Sequence, residues 1–498
     1  MRFIQGKDRE QTTLFPAAID DYVSQDNPVR FIEAYVNSLD LVELGFQNAE
    51  PKDLGRKPYN PSDLLKLYIY GYLNRIRSSR MLEKETHKNT EVMWLLCMLR
   101  PDFKTIADFR KDNTKAIKAV SRKFILLCRD LNLFGLELFA IDGSKFSAVN
   151  HSHKAYTKNK IQKAIQKIDK SLEKYLKSLE HLDQKESNIN KSSELEIREK
   201  IDRLTKSKKK FKNLKNQMEI TGQKQITLTD PESRVMRTGR QGNDVCYNVQ
   251  IAVDSKHHLI AEFDVTNDQN DLHQLNNMTS RVKELLQLQN FKTVADLGYF
   301  EKNEIKKCHK NQIECYIPES EKSQNYRLGL FTNKDFQYDP EHDLYHCPAG
   351  NKLIYQRIRD HSNKKEKVYT TPACRSCTMI SKCTRSKRER VIYRWEHQDI
   401  IEQMNSRVKE NPDIINKRKT MVEHPFGTMK HTWGYGSFLC KGLKMVKTET
   451  SFTILAYNIK RVLNIIGIKE LLEILAANLK KYFNFQFLKT FRLLSNSI

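Results

Sequence analysis

The sequence predicts a mixed α/β protein to which helical segments have been added. Apolar residues recur at helical spacing through most of residues 1–135, and a coiled-coil pattern follows over 158–220. Strand patterns then alternate with a helical pattern between 245 and 295, which is typical of an α/β layer. We therefore predict an N-terminal helical domain, a main domain over 136–465 with two insertions, and a helical tail over 466–498.

The N-terminal segment, residues 1–135, is predicted to be helical and basic. A helix-start signal at 61–63 opens one apolar stripe, and a second helical pattern runs from about Thr105 to Leu133. The first stripe ends near a basic run that suits DNA phosphates, formed by Arg75, Arg77 and Arg80. Both a DNA-binding helix-turn-helix and a packing domain with solvated arginines fit these residues.

Residues 158–220 carry a heptad pattern. Apolar residues alternate spacings of four and three from Ile161 to Leu182 and again from Ile197 to Met218. A polar stretch over 184–194 separates the two seams. The pattern predicts an antiparallel helical hairpin inserted into the main domain. Its lysines suit a DNA clamp or a dimer arm, and a solvated structural insertion is the plainer alternative.

The main domain is predicted to contain a β-hairpin, a helix and a further strand. Residues 245–253 alternate apolar with small or polar side chains, 254–257 supply turn residues, and 259–265 return as a second strand. A helical pattern over 272–288 then leads to a short strand at Phe291–Ala295. These elements together form one layer of an α/β fold.

Three carboxylates lie in three separate patterned segments. Asp142 and Asp296 each follow an apolar run and precede a glycine, so we expect both at strand ends on a sheet edge. Glu423 lies in a basic, helix-leaning stretch, and Pro425 predicts a kink or a restart there. Carboxylates that a fold brings together are suited to hard divalent cations such as Mg²⁺. Asp-Gly is also an ordinary turn pair.

Basic and aromatic residues surround Glu423. They suit a phosphate backbone or a flipped base, although a solvated basic helix has the same composition. They are Arg418, Lys419, Lys430, His431 and Trp433.

Four cysteines are grouped in a predicted small insertion over 335–395. Four thiolates match a tetrahedral Zn²⁺ site, and the CxxC pair is a common half-site. The wider spacings are irregular, so reduced cysteines without a ligand remain an alternative, and no thioredoxin-like pattern supports a redox role. The four are Cys347, Cys374, Cys377 and Cys383.

Charge and composition indicate a polyanionic partner. The 498 residues include 86 Lys and Arg against 61 Asp and Glu, a net charge of +25. A basic protein without a nucleic-acid function has the same balance. The sequence has no apolar run of ~18 residues and no apolar signal-peptide core at its start, so we expect a cytosolic protein with reduced thiols and no membrane partner.

The ordered segments AIDGSKFSA, YNVQIAVD, VADLGYF and VEHPFGTMKHTWGYG resemble bacterial insertion-sequence transposases of the DDE type, which have an RNase H-like catalytic domain. The stretch PSDLLKLYIYGYLNRIRSSRMLE, with PDFKTIADFRK, resembles the helical domain that precedes it. The resemblance covers residues 30–460. It implies metal-dependent cleavage and strand transfer on double-stranded DNA, at element ends and target, by a homodimer associated with the nucleoid when bound.

The resemblance also assigns residues. Asp142, Asp296 and Glu423 would hold Mg²⁺ or Mn²⁺, and Lys430, seven residues after Glu423, matches the family lysine. The family has a tyrosine seven residues and an arginine four residues before the glutamate. This chain has Asn416 and Lys419 at those positions, with Arg418 one place earlier. Cysteine-bearing insertions resembling 335–395 occur in related proteins between the second aspartate and the glutamate.

Two alternatives to a DDE transposase stay open at this point. One is a DNA-binding protein that derives from a transposon and lacks catalysis. The other is an RNase H-like nuclease that cleaves without strand transfer, because one site serves both reactions. Metal-dependent nicking of plasmid DNA separates the first alternative from an enzyme.

Overall fold

The computed structural model describes residues 18–50, 57–183, 191–239, 242–319, 323–361, 364–386 and 389–477. None of the described helices combines the length and the apolar character that crossing a membrane requires. The predicted tail is helical over 468–477, and its remaining residues lie outside the described part of the chain.

The described N-terminal residues form helices, as predicted. They are α1 (Pro28–Asn37), α2 (Pro61–Leu73), α3 (Ser79–Lys88), α4 (Thr90–Leu95), α5 (Phe103–Asp112) and α6 (Thr114–Asp130). The predicted start of α2 is confirmed, because the Asn60 side chain accepts a hydrogen bond from the Ser62 N–H at 2.9 Å.

The pattern predicted as one helix from about Thr105 to Leu133 is two helices, which meet at Asn113. The Asn113 carboxamide accepts a hydrogen bond from the Gln47 N–H at 2.7 Å and donates one to the Phe109 carbonyl. A short polar side chain that bonds to nearby backbone competes with continued helix.

The main domain begins with a sheet and its insertion. In chain order the elements are β1 (Leu138–Ser147), β2 (Ala155–Thr157), α7 (Lys158–Asp183), α8 (Lys191–Thr221), β3 (Gln225–Thr227), β4 (Arg234–Thr238), β5 (Gly242–Asp254), β6 (Ile260–Thr266), α9 (Leu275–Leu286), β7 (Phe291–Ala295), α10 (Lys302–Lys310) and β8 (Ile313–Tyr316). The β-hairpin, the helix and the strand at 291–295 are confirmed.

The second half of the main domain contains a small sheet and three long helices. Its elements are α11 (Gln324–Arg327), β9 (Gln337–Asp339), β10 (Leu344–His346), β11 (Lys352–His361), β12 (Lys364–Thr370), α12 (Ile380–Cys383), β13 (Ile392–Trp395), α13 (Gln398–Glu410), α14 (Pro412–Gly427) and α15 (Leu443–Ile466).

The main sheet is mixed. Strand β5 pairs with both β4 and β6 along one edge and with β1 along the other, and all three pairings are antiparallel. Strand β7 is parallel to β1, and β8 is parallel to β7. The direction of pairing therefore changes at β1, which lies at the centre of the sheet.

The N-terminal helices share their core with the end of the chain. The Phe452 ring of α15 stacks on Tyr68 and Tyr72 of α2, with centroids 4.9 and 5.2 Å apart. Tyr72 also meets Tyr435 edge to face at 6.0 Å. Aromatic pairs at these distances contribute beyond the area that they bury, so α2 and α15 are firmly joined.

The predicted helical hairpin is confirmed. The start of α7 packs against the end of α8, where Ile161, Leu214 and Met218 form a small core with Ile226 of β3. Lys208 and Asp169 pair across the two helices at 2.5 Å. Of the predicted polar bend, 184–190 lies outside the described residues, and α8 has already begun at Lys191.

The cysteine-bearing insertion has an antiparallel sheet of its own, in the order β13-β12-β11-β10-β9. One face buries an apolar and aromatic cluster that includes Tyr345, Leu353, Tyr369 and Ile392. The insertion leaves the main domain after β8 and returns to it at α13, which leads to α14 and Glu423.

Candidate active site

Two of the predicted carboxylates come from neighbouring strands. Asp296 directly follows β7, as expected, and its carboxylate accepts a hydrogen bond from the Gly298 N–H at 2.8 Å. Asp142 is not at a strand end, so that expectation is wrong: it lies inside β1 and pairs with Ile251 of β5. Ile141 lies opposite Ala295 in the parallel pair, which brings the two aspartates to the same level.

The edge of β1 beyond Asp142 is left open by the shorter strand beside it. Strand β7 ends at Ala295, whereas β1 continues to Ser147. Burial raises the pKa of Asp142 to about 6, and the nearby Asp296 carboxylate adds to this while Arg418 opposes it. A nearby cation would stabilise the ionised form of this carboxyl, which burial disfavours.

Helix α14, which carries the third predicted carboxylate, packs on this part of the sheet. It packs against both β1 and β7 and carries Glu423, whose side chain is exposed. Arg418 of the same helix places Nη1 3.5 Å from Asp142 Oδ2. In the described structure, the side chain that pairs with Asp142 is therefore a guanidinium.

The predicted kink at Pro425 takes a different form. Helix α14 continues through Pro425 to Gly427 and then changes to a π-helical turn over Thr428–Thr432. Proline cannot donate to the helical ladder, and such π turns are frequent at functional sites. This turn carries Lys430.

Lys430 is bound to the open edge of β1. Its amine donates to Ser144 Oγ and to the Lys145 carbonyl, both at 2.6 Å, and lies 4.5 Å from the centre of the Phe146 ring. Burial lowers the pKa of Lys430 to about 8, and the Asp142 carboxylate is among the charges that oppose this. The structure thus brings Lys430 close to the aspartates, as the resemblance implies.

The residues expected to contact DNA differ in exposure, and Arg418 and Lys430 are half-buried. Arg77 is bound inside the protein, because Nη1 lies 3.0 Å from Glu449 Oε1 and the guanidinium stacks on Tyr435. Trp433 is buried against Tyr435, which removes its ring from any DNA surface. The exposed members are Arg75, Arg80, Lys419 and His431.

A fourth carboxylate that the sequence analysis does not single out reaches the site. Asp271 follows β6 in a loop without a strand or helix signal of its own. Its Oδ1 accepts hydrogen bonds from Asn248 Nδ2 at 2.6 Å and from Gln250 Nε2 at 2.7 Å. Both amides are fully buried in β5, which is otherwise largely apolar at this depth. That pair of polar residues in a buried strand is the signal that could have found the site.

The four grouped cysteines line one small cavity of about 20 Å³. Burial raises the pKa of the Cys383 thiol, and the Cys374, Cys347 and Cys377 sulfurs add to the shift, so the fold brings them close to one another. Among the described residues, however, only His273, Glu301 and Glu304 place three potential ligand atoms within 4.8 Å of one another. The sulfurs therefore surround the cavity without closing on one point.

The group of His273, Glu301 and Glu304 is already neutralised by the protein. Glu304 pairs with Lys307 at 2.7 Å and accepts a hydrogen bond from the Asn276 N–H. Glu301 pairs with Lys364 at 2.8 Å, which joins the cysteine-bearing insertion to α10. These contacts indicate that Glu301 and Glu304 stabilise the fold.

Two family models match the chain. One is a transposase domain (DUF772), over residues 17–112, and the other is a transposase DDE domain, over 346–463. These two matches support an insertion-sequence transposase of the DDE type. No curated protein and no solved structure matches it.

The predicted family is thereby confirmed for this transposase. The DDE match includes Glu423, Lys430 and the four cysteines, whereas Asp142 and Asp296 lie between the two matched ranges. The family matches therefore give no information on the two aspartates, whose positions come from the structure alone.

Proposed function

We propose that this transposase cleaves DNA at the ends of its element and joins the new 3′ ends to target DNA, using an RNase H-like catalytic domain. The strand order β6-β5-β1-β7-β8 supports that fold, with antiparallel pairing on one side of β1 and parallel pairing on the other. The family match supports the reaction.

The observation that carries the proposal is the placement of Asp142 and Asp296 at one level of neighbouring strands, with the Asp142 pKa raised to about 6. DDE transposases typically use divalent metal ions. The residues fit such ions, because Asp142 and Asp296 lie at one level of neighbouring strands and the Asp142 carboxylate already attracts a guanidinium. Asp142, Asp296 and Glu423 would hold Mg²⁺ or Mn²⁺, which, when bound, activates the attacking oxygen and neutralises the leaving one.

The basic side chains hold the DNA backbone beside these acids. Lys430, with a pKa of about 8, keeps most of its charge at neutral pH and lies where a phosphate would approach the edge of β1. Arg418 of α14 pairs with Asp142 at 3.5 Å, and in the proposed complex it would pair with a phosphate instead. Lys419 and His431 extend the basic surface.

Double-stranded DNA is the proposed partner, both as element ends and as target. Joining two ends requires at least two protomers, so we propose a dimer on DNA. The net charge of +25 gives affinity for phosphates that falls steeply with salt.

Substitution of Asp142 tests the catalytic assignment. We expect Asp142→Asn to lose Mg²⁺-dependent nicking of supercoiled plasmid and joining of an end oligonucleotide, while gel-shift affinity for the end stays within about twofold, since phosphate contacts dominate binding. The matched control is Asp360→Asn, an exposed carboxylate on β11, which should cleave like wild type.

Each outcome separates the alternatives. Retained cleavage by pure Asp142→Asn would refute the catalytic role of Asp142. Binding without cleavage by wild type would favour a non-catalytic DNA-binding protein, and nicking without joining would favour a nuclease.

A second metal is proposed for the cysteine group. Cys347, Cys374, Cys377 and Cys383 line one cavity and would close on a structural Zn²⁺. We expect protein purified under reducing conditions to contain one zinc per chain and Cys377→Ser to lose it and to melt earlier. Cys97→Ser, an exposed cysteine elsewhere, should keep the zinc. Elemental analysis that finds no zinc in wild type would reject the site.

A further inference from the structure

Asp271 is fixed beside the catalytic aspartates by buried partners. Besides Asn248 and Gln250, Lys145 approaches its Oδ1 at 3.3 Å. The buried Tyr299 hydroxyl donates to Gln250 Oε1, so that amide is bound at both ends. Among the described residues, three donors contact Oδ1, whereas Oδ2 is contacted by the Lys145 amine alone, at 3.5 Å.

The second carboxylate oxygen of Asp271, Oδ2, lies near Gly298 and Asp296. A Cβ atom on Gly298 would lie 3.0 Å from Asp296 Oδ1 and 3.9 Å from Asp271 Oδ2. One oxygen of each carboxylate thus lies within 4 Å of the point that a side chain at 298 would occupy. Two oxygens of separate carboxylates around such a point form an arrangement that hard cations use.

Gly143, next to Asp142, faces the same network. A Cβ atom there would lie 2.6 Å from Asp271 Oδ1 and 3.0 Å from Asn248 Oδ1, and would also collide with the Gln250 amide. Both glycines that adjoin the catalytic aspartates therefore border Asp271. A side chain at 143 would displace Asp271, whereas a methyl group at 298 would only contact Asp271 and would press on Asp296.

An unsatisfied oxygen gives independent support for a cation. Asn248 Oδ1 is fully buried and receives no hydrogen bond in the described part of the chain, while Asn248 Nδ2 is held by Asp271. Native proteins seldom leave a buried amide oxygen without a partner, because its desolvation is costly. A cation, or a water that it orders, would satisfy this oxygen.

We propose that Asp271 is a fourth acidic residue of the cation site, which shares through Oδ2 the divalent cation held by Asp296. Lys145 neutralises Asp271 when the cation is absent. This inference rests on the proposed function of the site and adds a residue to it.

Binding of Mn²⁺ to the full-length protein without DNA tests the assignment. We expect Asp271→Asn to weaken Mn²⁺ affinity in calorimetric titration by roughly 10–100-fold. The matched control is Asp268→Asn in the same loop, an exposed acid whose carboxylate accepts a hydrogen bond from Gln274. That variant loses the same charge and should bind Mn²⁺ like wild type.

Gly298→Ala decides the question without removing a charge or a hydrogen bond of Asp271. Its methyl group would fill the space between Asp296 and Asp271, so Mn²⁺ affinity should fall by about tenfold or more. Gly436→Ala is the control, since a Cβ there meets nothing within 4 Å. Gly298→Ala also keeps the test valid if Asp271→Asn fails to fold.

Unchanged Mn²⁺ affinity in Gly298→Ala overturns the proposal, whatever the effect of Asp271→Asn, because the shared space would then hold no ion. Unchanged affinity in a folded Asp271→Asn overturns it too. Asp142→Asn serves as the reference: if that variant still cleaves DNA, the proposed function itself fails, which is a different result.

Discussion

The N-terminal helices and the helical hairpin are both basic and both fit a DNA-contacting role from sequence, yet they use their charges differently. In the N-terminal helices, Arg77 is only 12% exposed and pairs with Glu449, and Arg110 lies 5.6 Å over the Tyr68 ring. In the hairpin, basic side chains of α7 point to solvent along one stripe, formed by Lys163, Lys167, Lys170 and Lys174.

The difference shows that a basic residue stabilises the fold where a buried acid or ring lies within reach, and stays exposed to solvent where none does. The partner of Arg77 lies 372 residues away in sequence. Among its described residues, the hairpin has a small core near its base, so few buried acids or rings are within reach of the described lysines. Three predictions test this contrast, from the largest expected effect to the smallest.

Arg77→Ala should lower the free energy of unfolding by about 3–5 kcal/mol, because it leaves a buried carboxylate without its cation. Glu449 is 1% exposed and would keep only backbone donors such as the Leu439 and Cys440 N–H groups. Urea denaturation measures the loss. The exposed Arg80→Ala should cost about 1 kcal/mol or less, and equal losses in the two variants would break the contrast.

Leu214→Ala should destabilise the base of the hairpin by about 2–4 kcal/mol without lowering the stability of the shared core. Hydrogen exchange should then quicken in α7 and α8 while α2 and α15 stay protected. Leu195 in the same helix is 64% exposed, so Leu195→Ala should leave exchange unchanged. Equal loosening of α15 would show that the two regions are not independent.

Lys170→Gln should reduce the slope of log affinity against log salt by ~0.9 if its amine contacts a phosphate. The exposed Lys84 of α3 provides the control on the N-terminal helices. Lys84→Gln should leave the slope as it is. A slope that changes with Lys84 and not with Lys170 would indicate that the N-terminal helices, and not the hairpin, contact the phosphates.

Sequence patterns correctly predict the helices and strands that are determined by their own residues. The strand Phe291–Ala295, the start of α2 and both hairpin helices follow from their own residues. The break at Asn113 depends on Gln47, which lies 66 residues earlier, and no helical spacing reveals it.

The site shows the same limit. The Asp142-Gly143 pair reads as a turn, but pairing with β5 keeps it in a strand, and Gly143 is needed because the side chains of Asp271 and Gln250 cross above it. Asp271 is held at the site by a hydrogen bond from Asn248, 23 residues before it. The residues around Asp271 therefore contain no motif that predicts its position. The convergence of the cysteines likewise depends on the strands between them.

The stacking of Phe452 on Tyr68 and Tyr72 also has a consequence for synthesis. At translation rates of 5–20 residues per second, α15 leaves the ribosome roughly 20–80 s after α2. During that interval Phe109 and Arg110 can already contact Tyr68, whereas the place of the Phe452 ring beside both tyrosines is not yet filled. A nascent or truncated transposase that stops before 443 therefore lacks the Phe452 side of the core around α2, and this core is completed only when translation is nearly finished.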